Sequence, residues 1–147
     1  MVTIVVLLEY SAAFDTVDHT VALEILEKKF GVSPSCLEWF CSYVFGRTFS
    51  VTVNSQTSDI TDLESSVPQG SSLGPLLYLT HASELHEVAD RHGVAFHSLA
   101  DDTQLSKSVC TEDVHVAKQA VIDCVHDVQR WSNSHRLKIN AVKSEVI

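Results

Sequence analysis

The chain has 147 residues and a mass of 16.2 kDa, the size of one domain. Ten basic residues face nineteen acidic ones, a formal charge of −9, within a composition 45% hydrophobic and 20% charged. That much apolar material excludes a disordered chain, and the acid excess argues against a free-standing nucleic-acid binder, which needs a net positive face.

Residues 2–9 read as a buried strand rich in β-branched side chains and ended by Glu9. A tight link, Ser11 to Asp15, leads to a helix over 18–30. Leu23, Leu26 and Phe30 mark its apolar side, Glu24 and Lys28 are an i,i+4 pair, and Gly31 stops it. Ser33-Pro34 opens a second helix, with serine as cap and proline in the first turn, and Gly46 ends it. Thr48 to Val53 alternates like a strand, Asn54 to Ser58 is turn-rich, and Ile60 to Ser65 returns as a hairpin partner.

Ser66 to Pro75 is a loop dense in serine, glycine and proline, followed by a helix to about Arg91, closed by Gly93. Val94 to Ala100 and Thr103 to Ser108 form a hairpin around Asp101-Asp102. Residues 112–133 carry the clearest helix, with Val114, Ala117, Val121, Cys124, Val128 and Trp131 on one face. Leu137 to Asn140 and Ser144 to Ile147 are expected as short edge strands. The last twenty residues hold Arg130, Arg136, Lys138 and Lys143 against one acid, Glu145.

Four cysteines without a Cys-x-x-Cys pair point to reduced thiols and an intracellular place, nuclear or cytoplasmic. The histidines lack ligand spacing for zinc, and most of them are expected at the surface or half-buried. The apolar start has no basic leader or cleavage site and is too short to cross a bilayer, so no membrane partner is expected. The sequence carries no signal for oligomeric state.

Three segments hold the candidate chemistry. Glu9 is a carboxylate at the end of a buried strand, with Phe14 five positions on. Ser66 to Pro75 offers the Gln69 amide on a proline-stiffened turn, and Gly70 and Gly74 admit close backbone approach to a ligand. Asp101 and Asp102 lie at a hairpin turn, where carboxylates can meet a hard cation. Each segment alone also fits an ordinary strand end, loop or turn.

In this order and spacing, the three segments resemble motifs A, B and C of a reverse transcriptase palm. More narrowly, the chain is similar to the polymerase of non-long-terminal-repeat retrotransposons. The likeness runs through Ser11-Ala12-Ala13-Phe14-Asp15-Thr16-Val17-Asp18-His19, Phe30-Gly31-Val32-Ser33, Trp39-Phe40 and Gly46-Arg47. It continues with Val67-Pro68-Gln69-Gly70-Ser71, Leu73-Gly74-Pro75-Leu76-Leu77 and Ala100-Asp101-Asp102-Thr103-Gln104-Leu105. It ends with Arg136-Leu137-Lys138-Ile139-Asn140 and Lys143-Ser144-Glu145-Val146-Ile147.

The resemblance implies an α+β fold, a ferredoxin-like antiparallel palm sheet with helices packed on one side. It implies RNA-directed DNA synthesis by two-metal nucleotidyl transfer, with two Mg²⁺ (or Mn²⁺) ions held by Glu9, Asp101 and Asp102. Phe14 matches the aromatic gate under the sugar, and Gln69 and Gly70 match the loop at the incoming nucleotide and template. Lys143 matches the motif D lysine, a candidate proton donor to the leaving phosphate. The implied partners are an RNA template, a DNA primer and a deoxynucleoside triphosphate.

Departures from the family pattern point the other way. Glu9 stands where the family has aspartate, and Leu99 where it has an aromatic. His81 to Leu85 departs from a Tyr-Ile-Asn-Asp-Leu type ending. The chain runs from motif A to motif D, so residues 1–147 are expected as a partial domain with fingers and thumb largely missing, weak or inactive alone. The alternative is a non-enzymatic decayed remnant or binding module with a palm fold. A receiver-type phosphotransfer module would instead need its acidic pair after the first strand of a parallel sheet.

Overall fold

The computed structural model describes residues 1–147. Its main sheet has four strands: β1 (Val2–Leu8), β7 (Ala95–Leu99), β8 (Asp102–Val109) and β10 (Glu145–Val146), in the order β10-β1-β8-β7. All neighbours are antiparallel. Numbered along the chain, these four lie 4-1-3-2, and both crossovers are helical, which is the ferredoxin-like arrangement. An antiparallel sheet excludes the receiver-type module.

The expected α+β class and the position of the main elements are therefore found. β1 buries Val6 and Leu8 on one face, and β8 buries Thr103 and Leu105 beside them. The longest helix, α5 (Val114–Ser134), packs across this face with Ala117, Val121, Cys124 and Val128. Its spacing of three and four residues delivers that stripe. The opposite face, with Leu7, Gln104 and Leu99, stays open.

The first crossover begins with α1 (His19–Lys28), whose Asp18 carboxylate accepts from the Thr20 and Val21 amides. Next comes α2 (Pro34–Val44). Ser33 occupies the cap position, but its hydroxyl bonds to that of Ser35 instead of the helix amides. The expected hairpin is a four-segment arm: β3 (Thr48–Phe49) on β6 (Thr61–Asp62), and β4 (Thr52–Val53) on β5 (Gln56–Thr57). Its turn is tighter than expected, because Asn54 and Ser55 both take positive φ.

The single helix expected up to Arg91 is broken. It divides into α3 (Gly74–His81) and α4 (Leu85–Asp90), with a 3₁₀ turn at Ala82–Glu84 between them. Leu77, Tyr78, Thr80, His81 and Leu85 are all buried, so no polar stripe marks the break in the sequence. His81 and His19 are fully buried, while the other six histidines lie at the surface or half-buried, as expected of most of them.

Two short strands complete the chain. β2 (Tyr10–Ser11) pairs with β9 (Lys138–Ile139), and β10 pairs with β1 at Val6 and Leu7. Glu9 thus sits between two ladders formed with the same C-terminal segment. No helix is long and apolar enough to cross a membrane.

Candidate active site

The β1–β8 register pairs Leu8 with Thr103, so the next residues, Glu9 and Asp102, come level at the sheet end. Thr103 points into the core, and alternation puts Asp102 on the open face with Glu9. Asp101 belongs to the turn, where Ala100 takes φ 54°. The two adjacent aspartates consequently diverge.

Glu9 lies on the border of two cavities. One, of about 290 Å³, is lined by Glu9, Phe14, Gln69, Asp101, Asn140 and Lys143 among others. The other, of about 800 Å³, takes in Glu9, Leu99, Asp102, Gln104 and Lys143. Five of the seven residues singled out in the sequence therefore converge on the smaller cavity. Asp102 faces the larger one, and Gly70 lines neither.

The loop and the motif A turn are fastened together. A 3₁₀ turn at Ala13–Thr16 follows Ala12 in left-handed conformation. The Val67 amide donates to Phe14 O at 2.9 Å, and the Ser66 amide to Val17 O at 3.0 Å. His19 Nε2 meets Ser66 O at 2.7 Å. These bonds hold Gln69 opposite Phe14. Gly70, at φ +81°, turns the exposed loop, and open space surrounds its missing Cβ. Gly74 differs from expectation: a Cβ there would meet Pro68 O at 2.7 Å. Its partner in close approach is the chain's own backbone, not a ligand.

Lys143 donates to Glu9 Oε1 at 2.5 Å. The hydrogen bond to Glu9, then the charges of Glu9 and Asp101, raise the lysine pKa above its ordinary value. The rest of the basic cluster is also engaged. Arg130 pairs with Asp127, and Arg136 lies 3.6 Å from Asp18. Of the four basic residues in the last twenty, Lys138 is exposed and has no ion pair.

The expected metal ligands are not gathered into one group: no three acidic, histidine or cysteine side chains converge to hold an ion. The donor chemistry still suits a hard cation, since Glu9 and Asp101 offer carboxylate oxygens to the same cavity. The sequence reading missed Asn140 and Ser144 as builders of the site. The Asn140 amide donates to Glu9 O at 2.7 Å, and the Glu9 amide donates to Ser144 Oγ at 3.4 Å. Both lie in the motif D stretch, but nothing local signals a bond to a residue so far away.

Comparison with known proteins agrees with this arrangement. The reverse transcriptase (RNA-dependent DNA polymerase) family profile matches residues 1–147. The chain is 33% identical over 142 residues to the RNA-directed DNA polymerase from mobile element jockey of Drosophila funebris, covering 92% of this chain and 15% of that protein. It is 30% identical over 140 residues to the probable RNA-directed DNA polymerase from transposon X-element of Drosophila melanogaster, covering 93% and 15%. The chain thus spans about 15% of the length of these curated relatives. Among solved structures, apo telomerase from Candida tropicalis superposes with a TM-score of 0.72 at 16% identity, over 99% of this chain and 30% of that one. Telomerase from Candida albicans gives 0.72 at 14%, over 99% and 27%. With a whole-chain profile match, mobile-element relatives and a shared fold, the chain belongs to the reverse transcriptase family.

Proposed function

We propose that residues 1–147 form the palm, motifs A to D, of a retrotransposon RNA-directed DNA polymerase. The observation that carries this is the convergence of Glu9, Phe14, Gln69, Asp101 and Lys143 on one cavity, from four separate parts of the chain. Glu9 and Asp101 would hold the divalent cation, with Asp102 on the adjoining face. When bound, Mg²⁺ or Mn²⁺ would lower the pKa of a primer 3′-hydroxyl and neutralise the triphosphate.

The chain's own side chains have distinct tasks in this reading. Phe14 packs on Tyr78 and presents its ring to the cavity, where it would lie under the sugar of the incoming deoxynucleotide. The Gln69 amide can both donate and accept at the base or template. Gly70 lets the loop backbone turn beside them. Lys143 would donate a proton to a leaving pyrophosphate. RNA template and DNA primer would lie along the open sheet face.

Catalysis by this segment alone is expected to be weak or absent. Glutamate at position 9 is one methylene longer than aspartate, and Mg²⁺ tolerates little misplacement. An error of about 1 Å can cost on the order of 100-fold in rate. The ion pair at Glu9 supports the second reading, a palm-fold module without chemistry.

A chimera tests the proposal, with residues 1–147 replacing the matching segment of the Drosophila funebris jockey polymerase. It should extend a DNA primer on an RNA template, and Asp101→Ala should abolish the extension. Extension unaffected by Asp101→Ala would sink the proposal. The separate chain should show no extension with Mg²⁺ or Mn²⁺, and Glu9→Asp alone should not restore it.

A further inference from the structure

We propose that Lys143 is a tethered counter-ion of the Glu9–Asp101 carboxylates, competing with a divalent cation for Glu9. This rests on the reading of the smaller cavity as a nucleotidyl-transfer site, and adds a role for one residue within it.

The backbone fixes where the ammonium goes. β10 pairs with β1 just before Glu9, at Leu7↔Glu145. β9 pairs with β2 just after it, at Tyr10↔Ile139. Between these ladders, the Lys143 and Ser144 amides both donate to Asn140 O, at 3.1 and 3.0 Å, closing a compact turn. The Asn140 amide and Ser144 Oγ bond the Glu9 backbone from both directions. The backbone of Lys143 is therefore carried to Glu9 by fixed register on either flank, and its exposed side chain folds back onto the carboxylate. Its ammonium Nζ then donates to Oε1 at 2.5 Å, and the residue borders both cavities that Glu9 borders.

The consequence follows from charge and reach. Glu9 and Asp101 together offer two negative charges to the smaller cavity, and the ammonium cancels one. A divalent cation approaching Glu9 must displace Lys143 or share the carboxylate with it, against like-charge repulsion. The extra methylene of glutamate extends the carboxylate toward the lysine. The departure from aspartate at position 9 and the Lys143 contact thus belong together: the site carries its own cation.

Manganese binding tests this without any turnover. The whole chain is titrated with MnCl₂ by calorimetry, and free Mn²⁺ is followed by its EPR signal. Lys143→Met keeps most of the stem and removes the charge, and should bind Mn²⁺ about tenfold more tightly than the unaltered chain. Lys143→Gln is a second neutral variant, and circular dichroism reports that each is folded. Lys143→Arg should leave the affinity close to that of the unaltered chain. Adding Glu9→Gln to Lys143→Met should remove the gain.

Unchanged affinity in both neutral variants would overturn the proposal. So would a gain that survives Glu9→Gln, or an equal gain in Lys143→Arg. The chimera's primer extension reads the polymerase proposal separately. A chimera that extends alongside unchanged manganese affinity defeats only the counter-ion, and the reverse pattern defeats only the polymerase.

Discussion

Phe14 and Tyr78 stack with ring centroids 5.1 Å apart and planes 27° from parallel. The contact joins the motif A turn to helix α3, so the floor of the smaller cavity rests on a core residue. Tyr78 is buried, and its hydroxyl has no hydrogen-bond partner. Burial also pushes the phenol pKa well above its usual value. Tyr78→Phe should keep the stack and remove the orphaned hydroxyl, raising unfolding stability by about 1 kcal/mol. Urea denaturation measures it, and a loss of stability would contradict the account of this hydroxyl as unsatisfied. Tyr78→Ala should instead cost about 3–5 kcal/mol through the cavity it leaves.

Two glycines of the same loop should respond differently to alanine. At Gly74, a Cβ would press on Pro68 O, and backbone cannot swing aside as a side chain can. Gly74→Ala should cost about 1–3 kcal/mol by overpacking. At Gly70 the space is open and only the positive φ is at stake, so Gly70→Ala should cost ~1 kcal/mol. Thermal unfolding of the two variants ranks them. A larger loss at Gly70 would show that the loop is held differently.

Asp18 closes the start of α1 and also faces Arg136. Its cap bonds to Thr20 and Val21 are the larger contribution, because the arginine is exposed. Asp18→Ala should lose about 1 kcal/mol, and Asp18→Asn should recover most of it while giving up the charge. Equal losses in both variants would assign the effect to Arg136 instead.

Legibility in the sequence followed whether the deciding interaction was local. β1 was legible from its β-branched apolar run, the β7–β8 hairpin from the Asp101-Asp102 turn between its strands, and α5 because a half-buried helix imprints its period on the residues. Glu9, Phe14, Gln69 and Asp101 were legible through motif order, and they do meet. The break at Ala82–Glu84 was not, because the exposed side of α3 is itself apolar, Pro75, Leu76 and Leu79, and no polar stripe marks where the helix ends. The reason for Gly74 lies in a backbone six residues earlier, which glycine alone does not announce. The Lys143–Glu9 contact bridges opposite ends of the chain and depends on two ladder registers. The divergence of Asp101 and Asp102 came from the turn: one residue belongs to it, and the next already obeys strand alternation.

His81 gives a pH dependence whose sign can be worked out. Its ring is fully buried, with Nδ1 unpartnered and Nε2 3.4 Å from His135 O. Burial lowers its pKa below the ordinary 6.5; the His135 carbonyl, Asp18 and Glu84 oppose that shift, and the His135 ring adds to it. The unfolded chain therefore binds a proton at this site more readily than the folded one, and stability rises with pH there. The contribution is whole above pH 6.5 and is lost as pH falls from 6.5 through the folded value. Asp127 and Glu87, held below their ordinary 3.8 and 4.5 by hydrogen bonds from His92 and Lys29 respectively, act at lower pH. Urea midpoints at about pH 7.5 and 5.5 bracket the ordinary imidazole range. The unaltered chain should lose more stability across that interval than His81→Gln. Parallel losses in the two proteins would show that another group carries the dependence.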